Sequence, residues 1–133
     1  MKVLIHDERP DIPEFLLEII VNHGYKAGIA KERIVVDPGI GFGKTFEQNY
    51  ELLGNLKLFA DLGAGVLVGP SRKAFTGEFN KLPAEQRQFS TAAAIAIAVL
   101  NGADIIRVHD VMEMRQVTDI LDRFLAVKCG SGD

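Results

Sequence analysis

The hydrophobic residues of this chain form short continuous runs, and a longer stretch with helical spacing follows each run. The runs predict buried strands at Val3–Ile5, Ile34–Val36, Val66–Gly69 and Asp104–Val108. The periodic stretches predict helices from about Asp11 or Pro13 to Gly24, from Asn49 to Leu62, from Arg87 to Asn101 and from Val111 to Leu125. A short helical turn and a loop are expected between Phe75 and Gln86.

This order of strand and helix repeats four times within 133 residues. Such a repeat is typical of parallel βαβ units with right-handed crossovers. Four strands are too few to close an eight-stranded (β/α) barrel, which takes about 250 residues. We therefore expect an α/β fold in which helices cover a set of parallel strands.

Polar residues stand at the carboxyl end of every predicted strand: His6, Asp37, Ser71 to Lys73, and Arg107 with His109. In α/β folds this edge of the sheet is where ligands bind. We therefore expect the functional site at the carboxyl edge of the sheet.

The composition narrows the class of protein. A hydrophobic content of 47%, a charged content of 25% and a net charge of -3 fit one globular domain and give no footprint for binding nucleic acid. Cys129 is the single cysteine, so no internal disulfide is possible, and we expect a cytoplasmic protein. The longest apolar run, Ala92–Leu100, is nine residues, whereas a membrane span needs about 20. No membrane partner is expected.

The stretch Asp37–Thr45 contains three glycines in five residues and follows a strand. Such a loop lets the backbone approach a ligand closely, although a plain tight turn capped by Asp37 would also explain it. It is not a phosphate-binding P-loop, because that motif would need a glycine where Pro38 stands.

Two further stretches carry charge at strand ends. In Ser71–Lys73, backbone amides, a hydroxyl and an ammonium can converge on an anion or a carbonyl; the alternative is a solvated basic turn. Arg107 and His109 alternate along a strand end, so their side chains share one face. A charged residue within an apolar strand is costly unless it is paired, and this favours a role in ligand binding for Arg107 and His109. Asp110 could orient His109, but capping the next helix is the preferred interpretation.

Three motifs stand in order along the chain: Asp37–Lys44, Gly69–Lys73 and Gly102–Val111. Together they closely resemble dihydropteroate synthase, a folate-pathway transferase with a TIM-barrel fold, from about Arg33 to Phe124. The resemblance implies (β/α) units of TIM-barrel type, about four of eight. It also implies that residues 1–133 form one partial pterin-binding domain that looks like the second half of the barrel.

The family joins p-aminobenzoate to 6-hydroxymethyl-7,8-dihydropterin diphosphate and releases diphosphate, and the resemblance assigns roles to matching residues. Asp37 would accept hydrogen bonds from the pterin, and Lys73 would donate to its carbonyl. Arg107 would lie over the ring and reach phosphate, while His109 would meet the leaving diphosphate. The implied catalytic residues are Lys73, Arg107 and His109.

The remaining implied substrate contacts surround these groups. Ser71 would receive the aminobenzoate carboxylate, and Phe42 and Pro70 would supply apolar walls. The full implied substrate-binding set is Asp37, Gly41, Phe42, Gly69, Pro70, Ser71, Lys73, Arg107 and His109.

The resemblance also implies a cofactor and partners. Mg²⁺ is expected for the family, but its usual ligand belongs to the first half of the barrel, so no metal ligand is assigned here. The expected partners are the pterin diphosphate, p-aminobenzoate, and either a second copy of the chain or an N-terminal half-barrel. The alternative function is a non-catalytic pterin-binding or anion-binding half-barrel that self-associates and so buries its open strand edges.

Overall fold

The computed structural model describes residues 3–6 and 21–130. The strands are β1 (Val3–His6), β2 (Ile34–Asp37), β3 (Leu67–Val68) and β4 (Ile105–Ile106). The helices are α1 (helical residues 21–26), α2 (Phe46–Gly54), α3 (Gln88–Leu100) and α4 (Val111–Gly130). Turns of 3-10 helix span Lys31–Arg33, Leu56–Leu62, Ala74–Gly77 and Ala84–Gln86.

The four strands lie side by side in chain order and run parallel. β1 pairs with β2 in a register that sets His6 opposite Asp37, and β3 pairs with β4. A parallel bridge between Val36 and Val66 joins the two pairs. The carboxyl ends of all four strands therefore meet at one edge, as the repeat of strand and helix predicts.

The core lies between β2, β3 and the helices that cover them. All four residues of β2 are buried, as expected of a strand covered on both faces. The largest fully buried apolar side chains are Val21, Ile34, Val36, Ile40, Leu53, Leu56, Val66, Val68 and Ile95.

The predicted helix Asn49–Leu62 is wrong at both ends. α2 begins earlier because Thr45 caps it: Gln48 N–H donates to Thr45 Oγ1, and Thr45 N–H donates to Gln48 Oε1. The α-helix ends at Gly54, and Asn55 leaves helical geometry with φ -121° and ψ 22°. The chain then tightens into a 3-10 turn that still buries Leu56 and Phe59.

The predicted first helix lies mostly outside the described residues, and its predicted stop at Gly24 is wrong. The helix continues through Gly24 to residue 26, and the chain leaves it at Gly28, whose φ is 83°. Gly28 N–H donates to Tyr25 O and Ile29 N–H donates to Gly24 O, which is the Schellman arrangement. A residue in the left-handed conformation closes this helix, and of Gly24 and Gly28 it is Gly28 that has a positive φ.

The other elements match their predictions with shifted ends. α3 is confirmed within a residue, whereas β3 and β4 pair over only two residues each. α4 continues to Gly130, five residues beyond the predicted Leu125, so Cys129 is an exposed helical residue. Among the residues with described positions, no helix is long and apolar enough to cross a membrane.

Candidate functional site

The glycine loop after β2 is a built structure. Gly39, Gly41 and Gly43 all have positive φ, of 72°, 83° and 60°. Phe42 N–H donates to Gly39 O across the turn, and the ammonium of Lys44 donates to Gly39 O and Phe42 O. Hydrogen bonds within the loop, accepted by its own carbonyl oxygens, thus hold its shape.

Asn49 anchors this loop to α2. The side chain is 2% exposed, its Oδ1 accepts from Gly41 N–H at 2.6 Å, and its Nδ2 donates to Thr45 O at 2.7 Å. Sequence reasoning missed this role. The available signal was an amide side chain at a buried helical position, where a polar group needs partners.

Asp37 lies at the end of β2 and is 1% exposed. Its Oδ1 accepts from Gly39 N–H at 2.9 Å, and its Oδ2 lies 3.6 Å from Arg107 Nη2. A buried carboxylate is stable only when charges and donors face it. Here the guanidinium of Arg107, directly after β4, and the backbone N–H of Gly39 supply those partners.

Lys73 crosses the glycine loop. Its Nζ lies 3.5 Å from the centroid of the Phe42 ring, a cation–π contact. Its stem passes so close to Gly41 that a Cβ there would lie 2.6 Å from Lys73 Cδ. The absence of a side chain at Gly41 makes room for the lysine.

Arg107 has a similar relationship with the loop after β3. A Cβ on Gly69 would lie 2.9 Å from Arg107 Nη2 and 3.0 Å from Nε. The guanidinium therefore lies directly against the Gly69 backbone, with half of its side chain exposed. It is held near Asp37 and still faces the open edge of the sheet.

Ser71 and His109 join the ends of β3 and β4. Ser71 Oγ lies 2.9 Å from His109 Nδ1, and the backbone N–H of His109 donates to the same oxygen. Ser71 is buried, whereas His109 is exposed. Because Oγ accepts the backbone N–H, its own proton can be donated to Nδ1, and the Nε2–H tautomer then presents a donor to the edge.

These groups surround one cavity. It has a volume of about 170 Å³ and is lined by Gly69, Ser71, Lys73, Arg107, Val108 and His109. The cavity has three cationic or protonatable side chains and a hydroxyl, with Asp37 behind Arg107. Such a set suits an anionic ligand carrying a hydrogen-bonding ring.

The sequence model of the pterin binding enzyme family matches residues 13–109, more than half of the chain. The chain belongs to the pterin binding enzyme family.

Relatives of known activity make the comparison more specific. The dihydropteroate synthase of Bacillus subtilis is 36% identical over 131 residues, covering 92% of this chain and 46% of the relative. The Yersinia pestis enzyme solved with a pterine-sulfa conjugate has a TM-score of 0.84 at 33% identity, over 93% of this chain and 51% of that one. The Xanthomonas albilineans enzyme solved with 4-aminobenzoic acid has a TM-score of 0.78 at 34% identity, over 96% and 49%.

The chain thus spans about half the length of the relatives it matches. The resemblance to dihydropteroate synthase, a transferase, is confirmed. The predicted fold class is confirmed as well: the chain consists of (β/α) units that superpose on about half of each TIM-barrel neighbour.

Two interpretations were open for Ser71–Lys73: convergence of its amides, hydroxyl and ammonium on an anion or a carbonyl, or a solvated basic turn. The N–H of Arg72 donates to Thr91 Oγ1 and that of Lys73 to Pro70 O, so these two amides already have partners within the protein. One of these two amides is thus taken up by α3 and the other by the turn itself. The Arg72 side chain does not line the cavity either. Pro70 itself is buried, and its role as an apolar wall stays a prediction.

Asp110 directly precedes α4, and its backbone carbonyl accepts from Met114 N–H, as the carbonyl of an N-cap residue does. Its carboxylate, however, accepts two hydrogen bonds from Arg72, at 2.6 and 3.1 Å, instead of capping the helix. The hydrogen-bonded guanidinium of Arg72 lowers the pKa of Asp110 below its ordinary value. The side chain that was weighed as an orienter of His109 therefore orients a neighbouring loop.

Among the side chains described at residues 21–130, no group of three or more His, Cys, Asp or Glu residues could hold a metal ion. These side chains do not fit the Mg²⁺ expected for the family.

Proposed function

We propose that this chain provides the pterin and diphosphate face of a dihydropteroate synthase. The reaction joins 6-hydroxymethyl-7,8-dihydropterin diphosphate to p-aminobenzoate, giving 7,8-dihydropteroate and diphosphate. The observation that carries the proposal is the convergence of a buried carboxylate, Asp37, with the cations Lys73 and Arg107 at one sheet edge. The pterin presents amide-like donors and a carbonyl, and the diphosphate presents negative charge.

In this proposal Asp37 recognises the pterin. A carboxylate with two oxygens can accept from two adjacent N–H groups of a guanidine-like edge. Its burial strengthens those bonds because little water competes for them. Arg107, 3.6 Å away, balances the charge of Asp37 while the site is empty and can shift toward phosphate when the pterin arrives.

The cationic side chains serve the leaving group. In the reaction the aminobenzoate nitrogen bonds to the pterin methylene carbon, the bond from that carbon to the diphosphate oxygen breaks, and the amine proton passes to solvent. Negative charge grows on the departing oxygen, so donors fixed nearby lower the barrier. Arg107 and His109 line the same cavity and can supply those donors. Lys73 would donate to the pterin carbonyl.

The aminobenzoate would be received beside this cavity. The hydroxyl of Ser71 is the proposed donor to its carboxylate, with Phe42 and Pro70 as apolar walls. The Xanthomonas relative solved with 4-aminobenzoic acid supports this substrate class. The chain matches 46% of the length of the Bacillus relative, and we propose that turnover uses protein segments beyond those described.

We also propose that the chain associates, either with a second copy or with a partner half-barrel. β4 exposes Ile105, and α4 exposes Val111, Met112, Ile120 and Phe124. Light scattering at micromolar concentration should give a species heavier than 14.6 kDa. A clean monomer would contradict this part of the proposal.

The test of the function is calorimetric titration with 6-hydroxymethyl-7,8-dihydropterin diphosphate. Asp37→Asn should lower the affinity at least tenfold, because each charge-assisted bond contributes about 1.5 to 3 kcal/mol. Asp119→Asn is the matched control, since Asp119 is an exposed carboxylate on α4 that pairs with Arg115. Equal losses for both variants, or no binding by the wild type, would overturn the proposal.

A product assay with added p-aminobenzoate separates catalysis from binding. Formation of 7,8-dihydropteroate would support the synthase. Binding without product would favour the non-catalytic half-barrel.

A further inference from the structure

We propose that Arg72 is a positioning residue: its bidentate contact with Asp110 fixes the turn that presents Ser71 and Lys73 to the anion cavity. The proposal rests on the proposed function only for the identity of the ligand. The ordering of the cavity itself is a property of the chain without ligand.

The backbone of Arg72 shows why a clamp is needed. Its φ is 59°, in the left-handed region that glycine adopts readily and other residues rarely do. Persistence of such a conformation in a non-glycine residue requires contacts that determine it. The contacts on Arg72 come from two separate parts of the chain, Asp110 and the start of α3.

The first contact is the side-chain pair. Arg72 Nη2 donates to Asp110 Oδ1 at 2.6 Å, and Arg72 Nε donates to Oδ2 at 3.1 Å. The two side chains are 25% and 11% exposed, so this pair is better shielded than an ordinary surface ion pair. Two parallel bonds fix the plane of the guanidinium as well as its distance.

The other contacts hold the Arg72 backbone. Its N–H donates to Oγ1 of Thr91, a fully buried residue of α3, and its carbonyl accepts from Arg87 Nη1 at 3.1 Å. The same Arg87 nitrogen reaches Lys73 O at 3.3 Å, and Arg87 Nε donates to Leu82 O. Gly77 leaves room for this arginine, since a Cβ there would lie 2.8 Å from Arg87 Cζ.

The clamp acts on the residues at either side of it. Ser71 and Lys73 line the cavity while Arg72 points away from it. Asp110, its partner, directly follows His109, and Ser71 Oγ lies 2.9 Å from His109 Nδ1. The loop after β3 and the end of β4 are thereby tied at two neighbouring points. Releasing the outer tie should loosen the inner one.

The test is Arg72→Gly, which permits the left-handed backbone and removes the whole side chain with its contact to Asp110. The readout is the ¹⁵N chemical shifts of the His109 ring in the free protein, assigned with His109→Gln. We expect the Nδ1 shift to move because the hydrogen bond from Ser71 is lost, and diphosphate affinity to fall about tenfold. Arg115→Ala is the matched control, since it breaks an Arg–Asp pair of the same 2.6 Å length on α4.

Unchanged His109 shifts in Arg72→Gly would overturn the proposal, because the arginine would then matter only through its backbone. Should Arg72→Gly fail to fold in a urea titration, Arg72→Lys decides the question by the same shifts, because it leaves the charge of Asp110 beside His109 in place. The ring shifts need no ligand, so a failure of the wild type to bind pterin would refute the proposed function and leave this test intact. Arg72→Lys should behave like Arg72→Gly, because lysine keeps the charge and loses the fork.

Discussion

The stem of Lys73 lies directly on the backbone of Gly41, where a Cβ would come within 2.6 Å of Lys73 Cδ. This contact joins the loop after β2 to the loop after β3. The position of the Lys73 ammonium over the Phe42 ring therefore requires that residue 41 has no side chain. A side chain there would displace the lysine from its place beside the cavity.

We predict that Gly41→Ala lowers pterin affinity at least tenfold. Gly28→Ala is an unusually close control, because Gly28 has the same φ of 83° and nothing within 4 Å of its Cβ position. Both variants should lose about 1 to 2 kcal/mol of folding stability from left-handed strain. Only Gly41→Ala should lose binding by calorimetry, and equal binding by the two variants would contradict the role of the Lys73 contact.

Asn49→Ala should destabilise the protein by about 1 to 3 kcal/mol, because the Gly41 N–H and Thr45 carbonyl lose their buried partner. Urea unfolding measures the loss. Asn55→Ala is the control, since Asn55 Nδ2 makes the same kind of bond to the carbonyl four residues earlier at an exposed site. Its effect should stay within about 0.5 kcal/mol. Similar losses for both would show that the glycine loop gains nothing from Asn49.

His109→Gln should weaken diphosphate binding, because His109 lines the anion cavity and its ring is a proposed donor to the departing oxygen. Calorimetric titration with inorganic diphosphate measures the loss. Wild-type affinity in His109→Gln would contradict a role for His109 at the anion.

Arg107→Lys should bind diphosphate more weakly than the wild type does. The planar guanidinium fits against Gly69, and a lysine ammonium lacks that plane. Affinity for the wild type should fall as salt rises, because the attraction is Coulombic. An Arg107→Lys protein with wild-type affinity would exclude a specific role for the guanidinium.

The lowered pKa of Asp110 predicts a pH effect on stability. A carboxyl whose pKa is lower in the folded protein stabilises it above the unfolded value of about 3.9, and this contribution is lost as pH falls through the folded pKa. Urea midpoints of wild type and Asp110→Asn should therefore differ more at pH 7 than at pH 3.5. Asp119→Asn serves as control, and a constant difference for Asp110→Asn would remove the carboxylate as the cause.

Much of the fold followed from local pattern. The strand Ile34–Val36 is a β-branched run between polar residues, and the structure buries it completely. The placement of Asp37, Arg107 and His109 at one edge followed because parallel strands must end together. These inferences need only the local sequence and the fact that the strands are parallel.

The directions of individual side chains could not be predicted in this way. Arg72 and Asp110 are 38 residues apart, as are Ser71 and His109, so nothing in the local sequence distinguishes the arginine that lines the cavity from the one that braces it. The break at Asn55 and the continuation through Gly24 likewise depend on packing. Gly24 is tolerated in the helix where it faces Ile34 Cδ1 at 3.6 Å from its Cβ position.

The glycine-rich composition of the loop suggests flexibility, but the capping of α2 by Thr45 ties the loop to a helix. One end of the loop is the first cap of a helix, and Asn49 of that helix holds the middle of the loop by the Gly41 amide. The amide protons of Gly41 and Gln48 should therefore exchange with solvent slowly, and at similar rates, in the ligand-free protein. The loop would open only together with the first turn of α2, so a ligand would meet a surface whose shape is set during folding.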